Sequence, residues 1–182
     1  MACRRSLALL LACAVAGAGA SAALAARNFQ GKAQSVALTA AQAKYKALTG
    51  SAVAAKPPLD KQRGYRSGWQ TSYLKGTVAA PVQAYSLIYV YDTAANAKRA
   101  YTNSCQACTG NVRTQGIAMK FMLTEDKGTP GVIDISTCRN IYAAIVVSGE
   151  LQPGALARAA GALAGGIYAK AMAGGMSPCA GG

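Results

Sequence analysis

The sequence predicts an α+β domain: an antiparallel sheet of about five strands, with helices packed on one face and disulfides stapling it. Three observations lead there. Strand-like segments come in two blocks, Trp69 to Tyr91 and Ile117 to Val147, separated by one Ala-rich helical stretch and followed by another. Their apolar residues recur with period two in the strands and with helical spacing in the stretches between. Four cysteines remain beyond an expected N-terminal signal, the even number that structural bridges require.

The chain opens with a basic start, Met1 to Arg5, and then carries no charge from Ser6 to Ala26. Leu7 to Val15 is its most apolar part, and Ala23-Leu24-Ala25 offers the small-x-small pattern of a signal-peptidase site. Residues 1–25 are therefore expected to be an export signal. An uncleaved anchor is the alternative, because an uncharged run of 21 residues can span a bilayer. Leu11-Ala12-Cys13 sits too close to Arg5 for a lipobox, and Arg4-Arg5 is a bare twin arginine.

Residues 26–62 read as a basic N-terminal helix and linker, a lead-in rather than core. Thr39 to Gln42 fits a capping box, with a short helix from Ala40 to Leu48 stopped by Gly50. Ser51 to Pro58 has no periodicity and ends in a Pro-Pro pair. An α+β domain is then expected over 63–176, with a tail over 177–182 tied by Cys179. Trp69 to Lys75 places Trp69, Thr71 and Tyr73 on one side of a strand. Val82 to Tyr91 is the clearest strand, apolar on both faces and so expected at the sheet centre. Asp92-Thr93 caps a helix from Ala94 to Ser104, which would turn Ala94, Ala97 and Tyr101 to the sheet. Ile117 to Leu123 alternates as a strand, Glu125 to Gly131 reads as a turn, and Val132–Thr137 and Ile141–Val147 form a hairpin. Pro153 opens a final helix to about Met172, with Leu156, Ala159, Ala160, Leu163 and Ile167 in its stripe. Gly161 and Gly165 form a small-xxx-small pair suited to close packing on a sheet.

Charge and composition narrow the chemistry. Two of the 19 Lys and Arg lie in residues 1–25, which leaves 17 basic against 6 acidic residues, a net of +11. Nine of the basic residues fall between Ala26 and Gly76, with one acid among them. Such an excess suits an anionic envelope component or an acidic protein partner, or a solvated basic surface. No histidine is present, which removes Ser–His and Cys–His nucleophile pairs and most zinc sites. The acids do not pair at a spacing that suits glycoside hydrolysis. No enzyme activity and no cofactor or metal is expected.

Cys105, Cys108, Cys138 and Cys179 can join in three ways, and spacing alone leaves all three open. Cys105-Gln106-Ala107-Cys108 is the most chemical-looking motif, and thiol–disulfide exchange through Cys105 and Cys108 is the enzymatic alternative. It follows a helix instead of opening one, so the helix dipole disfavours a thiolate, and structural bridges are the preferred reading. The second motif is Lys56 to Lys75, where cations alternate with aromatic residues. Lys61, Arg63, Tyr65, Arg66, Trp69, Tyr73 and Lys75 form its candidate anionic-ligand surface. Against this stands a core role for Trp69 and Tyr73, with the charges on the wet side of an edge strand. An exported chain makes nucleic acid a poor partner, and a membrane enters only if the N-terminal segment stays uncleaved.

Tyr85 through Cys105 (YSLIYVYDTAANAKRAYTNSC) resembles secreted actinobacterial α+β domains in which a strand ends in Tyr-Asp and enters an Ala-rich helix leading to a cysteine. Ile141 to Gly149 and the closing Ala-rich helix fit the same plan. Such domains occur in exported lipoproteins and in the extracytoplasmic sensor parts of receptor kinases. The resemblance implies disulfides, a ligand cleft and a binding role. The expected function is a non-enzymatic, envelope-associated or secreted binding module. A structural envelope protein held electrostatically by its basic N-terminal third is a further alternative.

Overall fold

The structure, a computed structural model, describes residues 26–45, 47–48, 53–58, 61–77, 81–108, 110–114 and 117–179. The expected export signal lies outside them, as does Gly50.

Two short helices come first, α1 (Ala33–Val36) and α2 (Ala40–Ala43). The strands β1 (Ala47–Leu48), β2 (Val53–Ala54), β3 (Tyr65–Gly76) and β4 (Pro81–Tyr91) follow. Next are α3 (Ala94–Thr102), β5 (Gly110–Thr114), β6 (Ile117–Asp126), β7 (Thr129–Cys138) and β8 (Ile141–Gly149). Helix α4 (Pro153–Ala173) closes the domain. All strand pairs are antiparallel, in the order β1-β3-β4-β8-β7-β6-β5, with β2 also paired to β3. The five long strands are the expected sheet, and three short strands extend its edges.

The alternation in the sequence sets the two faces. Ile88 and Val90 of β4, Ile145 and Val147 of β8, and Val132 of β7 turn to one side. There they pack against Leu156, Ala160, Leu163, Ile167 and Tyr168 of α4, all buried. Tyr89 and Tyr91 of β4, Tyr142 of β8 and Ile135 of β7 turn to the other, where α3 packs on them through Ala97 and Ala100. Expectation of helices on one face thus describes α4 and α1, while α3 covers part of the opposite face. Thr93 caps α3 by accepting from the Asn96 amide, as the Asp92-Thr93 pair suggests.

The N-terminal residues correct the sequence reading. Phe29, Ala33, Val36, Leu38 and Tyr45 are buried in the α4-side core, so the lead-in is part of the core. The capping box at Thr39 and Gln42 forms as expected, but the helix stops at Ala43. Lys44 turns left-handed, with φ 62°, and the Tyr45 amide donates to the Ala40 carbonyl. Residues 47–48 then join the sheet opposite Leu74 and Tyr73. Within the expected 51–58 linker, Val53–Ala54 pairs with β3. Likewise the 125–131 turn contracts to Lys127-Gly128, both with positive φ, which suits a tight hairpin. The close approach to α4 occurs at Gly166, where an added Cβ would lie 3.0 Å from Leu38 Cδ1. Gly165 has open space around it instead.

Two disulfides select one of the three pairings. Cys105 joins Cys108, and Cys138 joins Cys179, each with Cα atoms 5.3 Å apart. The second ties the end of β7 to the C-terminal segment across 41 positions. Buried Asn140 clasps the same corner: it accepts from the Phe29 amide (2.7 Å) and donates to the carbonyls of Phe29 (2.9 Å) and Tyr91 (2.6 Å).

Candidate binding site

The α3 side of the sheet is covered only in part. Over β3 and β4 the cover is residues 55–58 and Lys61, which arch across the strands as a strap. A cleft of about 580 Å³ opens beside it, with a floor of Gln70, Tyr85, Leu87, Tyr89 and Tyr142. These floor residues share a face because the register sets Gln70 beside Leu87, and Tyr89 beside Tyr142.

Gly68 lets the strap lie close. A Cβ there would collide with the Ala55 carbonyl oxygen and come within 2.7 Å of the Tyr89 ring. Two phenols hold the strap down: Tyr65 Oη donates to the Ala55 carbonyl (2.6 Å) and Tyr89 Oη to that of Lys56 (3.2 Å). The Ala55 amide donates to the Gly68 carbonyl (3.1 Å), and Gln62 Nε2 donates to that of Pro57 (3.1 Å). These are main-chain anchors, so the strap's side chains stay available to the cleft.

The rings form a connected set. Tyr89 and Tyr142 stack at 5.7 Å with planes 15° apart, and Tyr65 meets Tyr89 edge-on at 6.0 Å. Lys61 Nζ stands 6.0 Å from the Tyr142 ring centre, at the outer limit of a cation–π contact. Tyr85 Oη donates to Gln70 Oε1 (2.9 Å), which leaves the Gln70 amide nitrogen as that side chain's donor. Burial, reinforced by the neighbouring phenols of Tyr142, Tyr85 and Tyr65, pushes Tyr89 up to about 12. Burial also raises Tyr85 and Tyr142. The three phenols are therefore neutral near physiological pH, able to donate and accept hydrogen bonds but unsuited to act as bases. The geometry can hold a ligand; among the described lining residues no nucleophile has a base beside it.

The candidate surface drawn from the sequence does not assemble. Tyr73 points to the opposite face, fully buried, and its hydroxyl donates to the Leu38 carbonyl (3.0 Å). Trp69 lies on that same face, half-buried against the α4-side core. Arg66 is exposed and reaches Gln30, Arg63 is exposed in the turn before β3, and Lys75 is exposed at the far end of the strand. Only Lys61 and Tyr65 reach the cleft region. Lys56, the first cation of the Lys56–Lys75 motif, also lines the cleft, whereas Gln70, Tyr85, Tyr89 and Tyr142 are not among the residues that the sequence marks as a site. Tyr85, Tyr89 and Tyr91 on one face of β4, with Leu87 among them, are the available signal, but an apolar alternation reads equally well as core.

Among the described residues no group of His, Cys, Asp and Glu could hold a metal ion, and no helix is long and apolar enough to cross a membrane. The Cys105–Cys108 loop follows the C-terminal end of α3, where the helix dipole disfavours a thiolate.

No protein-family model matches the chain, and no curated protein matches it by sequence. Among solved structures, the extracellular domain of PknH from Mycobacterium tuberculosis is similar, at 12% identity and a TM-score of 0.45, over 75% of this chain and 94% of that one. The likeness is weak.

Proposed function

We propose that this chain is a non-enzymatic, extracytoplasmic binding module whose ligand occupies the tyrosine-lined cleft between the strap and the exposed half of the sheet. The cleft itself carries the reading. Its volume of about 580 Å³ falls in the roughly 300–1,000 Å³ range of small-molecule sites. The open part of its floor is half-buried Gln70, Tyr85 and Leu87, while Tyr89 and Tyr142 are 4% and 3% exposed; an aromatic ring in such a floor supplies contact area at low entropic cost. Two disulfides fit an oxidising compartment, in keeping with the export signal expected of residues 1–25.

A fragment screen by ligand-observed NMR, run on wild type and on Leu87→Trp, tests this. The indole would fill the cleft floor without touching the α4-side core. Wild type should give a cluster of hits that Leu87→Trp loses. Equal hit patterns in the two proteins would end the proposal.

A further inference from the structure

We infer that one end of the sheet is a docking face for an anionic phospholipid surface, with Arg27, Arg63, Arg66 and Arg139 set against its headgroup phosphates. None of these residues lines the cleft, so the face stands whether or not the cleft binds a ligand.

Strand register brings the four arginines to that end. Tyr65 at the start of β3 pairs with Tyr91 at the end of β4, and Val90 with Ile141 at the start of β8. Ile141 in turn pairs with Cys138 at the end of β7. Arg63 and Arg66 thus share an end with Asp92 and Arg139. Residues 27–33 run across it: the Arg27 amide donates to Ser177 Oγ (2.8 Å), that of Phe29 to Asn140 Oδ1 (2.7 Å) and that of Ala33 to Ser67 Oγ (2.9 Å). Exposed Lys32, on the same segment, adds a fifth cation.

The charge at this end is not neutralised. Arg27, Arg63 and Arg66 are exposed and Arg139 is half-buried. Arg139 donates to the Pro178 carbonyl (2.7 Å) and Arg66 to that of Gln30 (3.3 Å), neutral acceptors that leave the charge whole. None of the five cations is in an ion pair with a described carboxylate. Asp92 is the described acid here, and its carboxylate accepts from Asn96 Nδ2 (2.6 Å). Five cations less one acid leave +4, and subtracting Asp60 as well would leave +3. The opposite end carries Glu125, Asp126 and Glu150 against Lys44, Lys75 and Lys127, and its described charges balance.

The kind of cation and its spread point to a sheet of phosphates. Four of the five at this end are arginines, whereas the three at the other end are lysines. A guanidinium presents a planar fork of donors that matches paired phosphate oxygens. Arg66 on β3 and Arg139 beyond β7 stand three strand spacings apart, about 14 Å, too far to close on one small anion. The uncharged stretch from Ser6 to Ala26 also leads straight into Arg27. During export, or as a retained anchor, that stretch brings this end of the domain next to the bilayer.

Flotation of the whole chain tests this, with vesicles of phosphatidylcholine alone and of phosphatidylcholine with phosphatidylglycerol, at low and high salt. The salt-reversible part of binding is read, so insertion through residues 1–25 does not enter it. Wild type should bind the mixed vesicles at low salt and not the neutral ones. Near an anionic surface each basic residue contributes about fivefold, so the triple Arg27→Gln, Arg63→Gln, Arg66→Gln should lose about a hundredfold in partitioning. The triple Lys44→Gln, Lys75→Gln, Lys127→Gln removes equal charge from exposed positions at the other end and should lose less than about threefold. In wild type, spin-labelled headgroups should broaden the amide signals of residues 27–32 and 139–140 and spare those of 125–128. Absence of salt-reversible binding, equal loss in the two triples, or broadening at 125–128 instead would overturn the face. Tighter binding to soluble polyphosphate than to the vesicles, lost in the arginine triple, would assign the end to an anionic polymer and overturn the bilayer.

Discussion

The two faces of the sheet use alternate residues of the same strands and end in different states. On one, Ile88, Val90, Ile145 and Val147 meet a helix of 21 residues, and the N-terminal Phe29, Val36 and Leu38 fill the remaining margin. The other meets a helix of nine residues, which covers Ile135, Tyr91 and part of Tyr142 and leaves the β3 and β4 side to the strap. Each face has its own disulfide: Cys138–Cys179 belongs with the α4-side core and Cys105–Cys108 with the α3 side. The difference teaches that apolar alternation marks a face as coverable, while the length of the covering element decides how much is covered. Where cover runs short, tyrosine is a fitting residue, since its ring packs and its hydroxyl can meet water or a ligand.

If the closed face is the dry one, its buried acid should show it. Asp134 is 3% exposed beneath α4, near Tyr168, and its Oδ1 has no hydrogen-bond partner among the described residues. Burial raises its carboxyl from 3.8 to about 7. The folded chain therefore keeps this proton in a range where the unfolded chain has lost it. The group's contribution to stability is greatest at low pH and falls as pH rises through the interval from 3.8 to about 7. The loss is on the order of 4 kcal/mol, at about 1.4 per unit. Asp134→Asn should flatten that dependence in urea unfolding at about pH 4.5 and 7.5. An unchanged slope in the variant would mean that water reaches the carboxylate and the face is not dry.

The two bridges give the next largest contrast. Chain-entropy arguments assign about 4 kcal/mol to the bridge that spans 41 positions and about 1.5 to the one that spans three. Paired Cys→Ser replacements should therefore differ by about 2.5 kcal/mol in denaturant unfolding. Equal costs would show that the Cys105–Cys108 loop supports the α3 side beyond its own closure.

Truncation of one residue on each face gives the smallest difference. Ile145 is fully buried on the closed face, whereas Leu87 lines the cleft and is only half-buried. Ile145→Ala should cost about 3 kcal/mol and Leu87→Ala about 1. A Leu87→Ala cost as large as that of Ile145→Ala would mean that the strap seals the cleft in solution.

Much of the sheet was legible from local pattern. Val82 to Tyr91 read as a central strand, and β4 does lie between β3 and β8. Pro153 and the stripe from Leu156 to Ile167 placed α4 almost to the residue, and the Thr39–Gln42 capping box formed. The short edge strands were not legible, since two residues such as Val53–Ala54 carry no period and pair only because β3 is beside them. The cleft was hidden for a related reason. Tyr85, Tyr89 and Tyr142 converge through strand register, and β4 and β8 are separated by some fifty residues of chain.

The sequence by itself determined which residues alternate, where α2, α3 and α4 begin, and that four cysteines beyond the expected signal could form bridges. Those are local properties of dihedral preference, spacing and composition. Only the tertiary structure decided which cysteines pair, that the N-terminal segment belongs to the core, and that α3 leaves half a face open. Each of these depends on how far one element reaches across another, a distance between residues remote in sequence that no local pattern encodes.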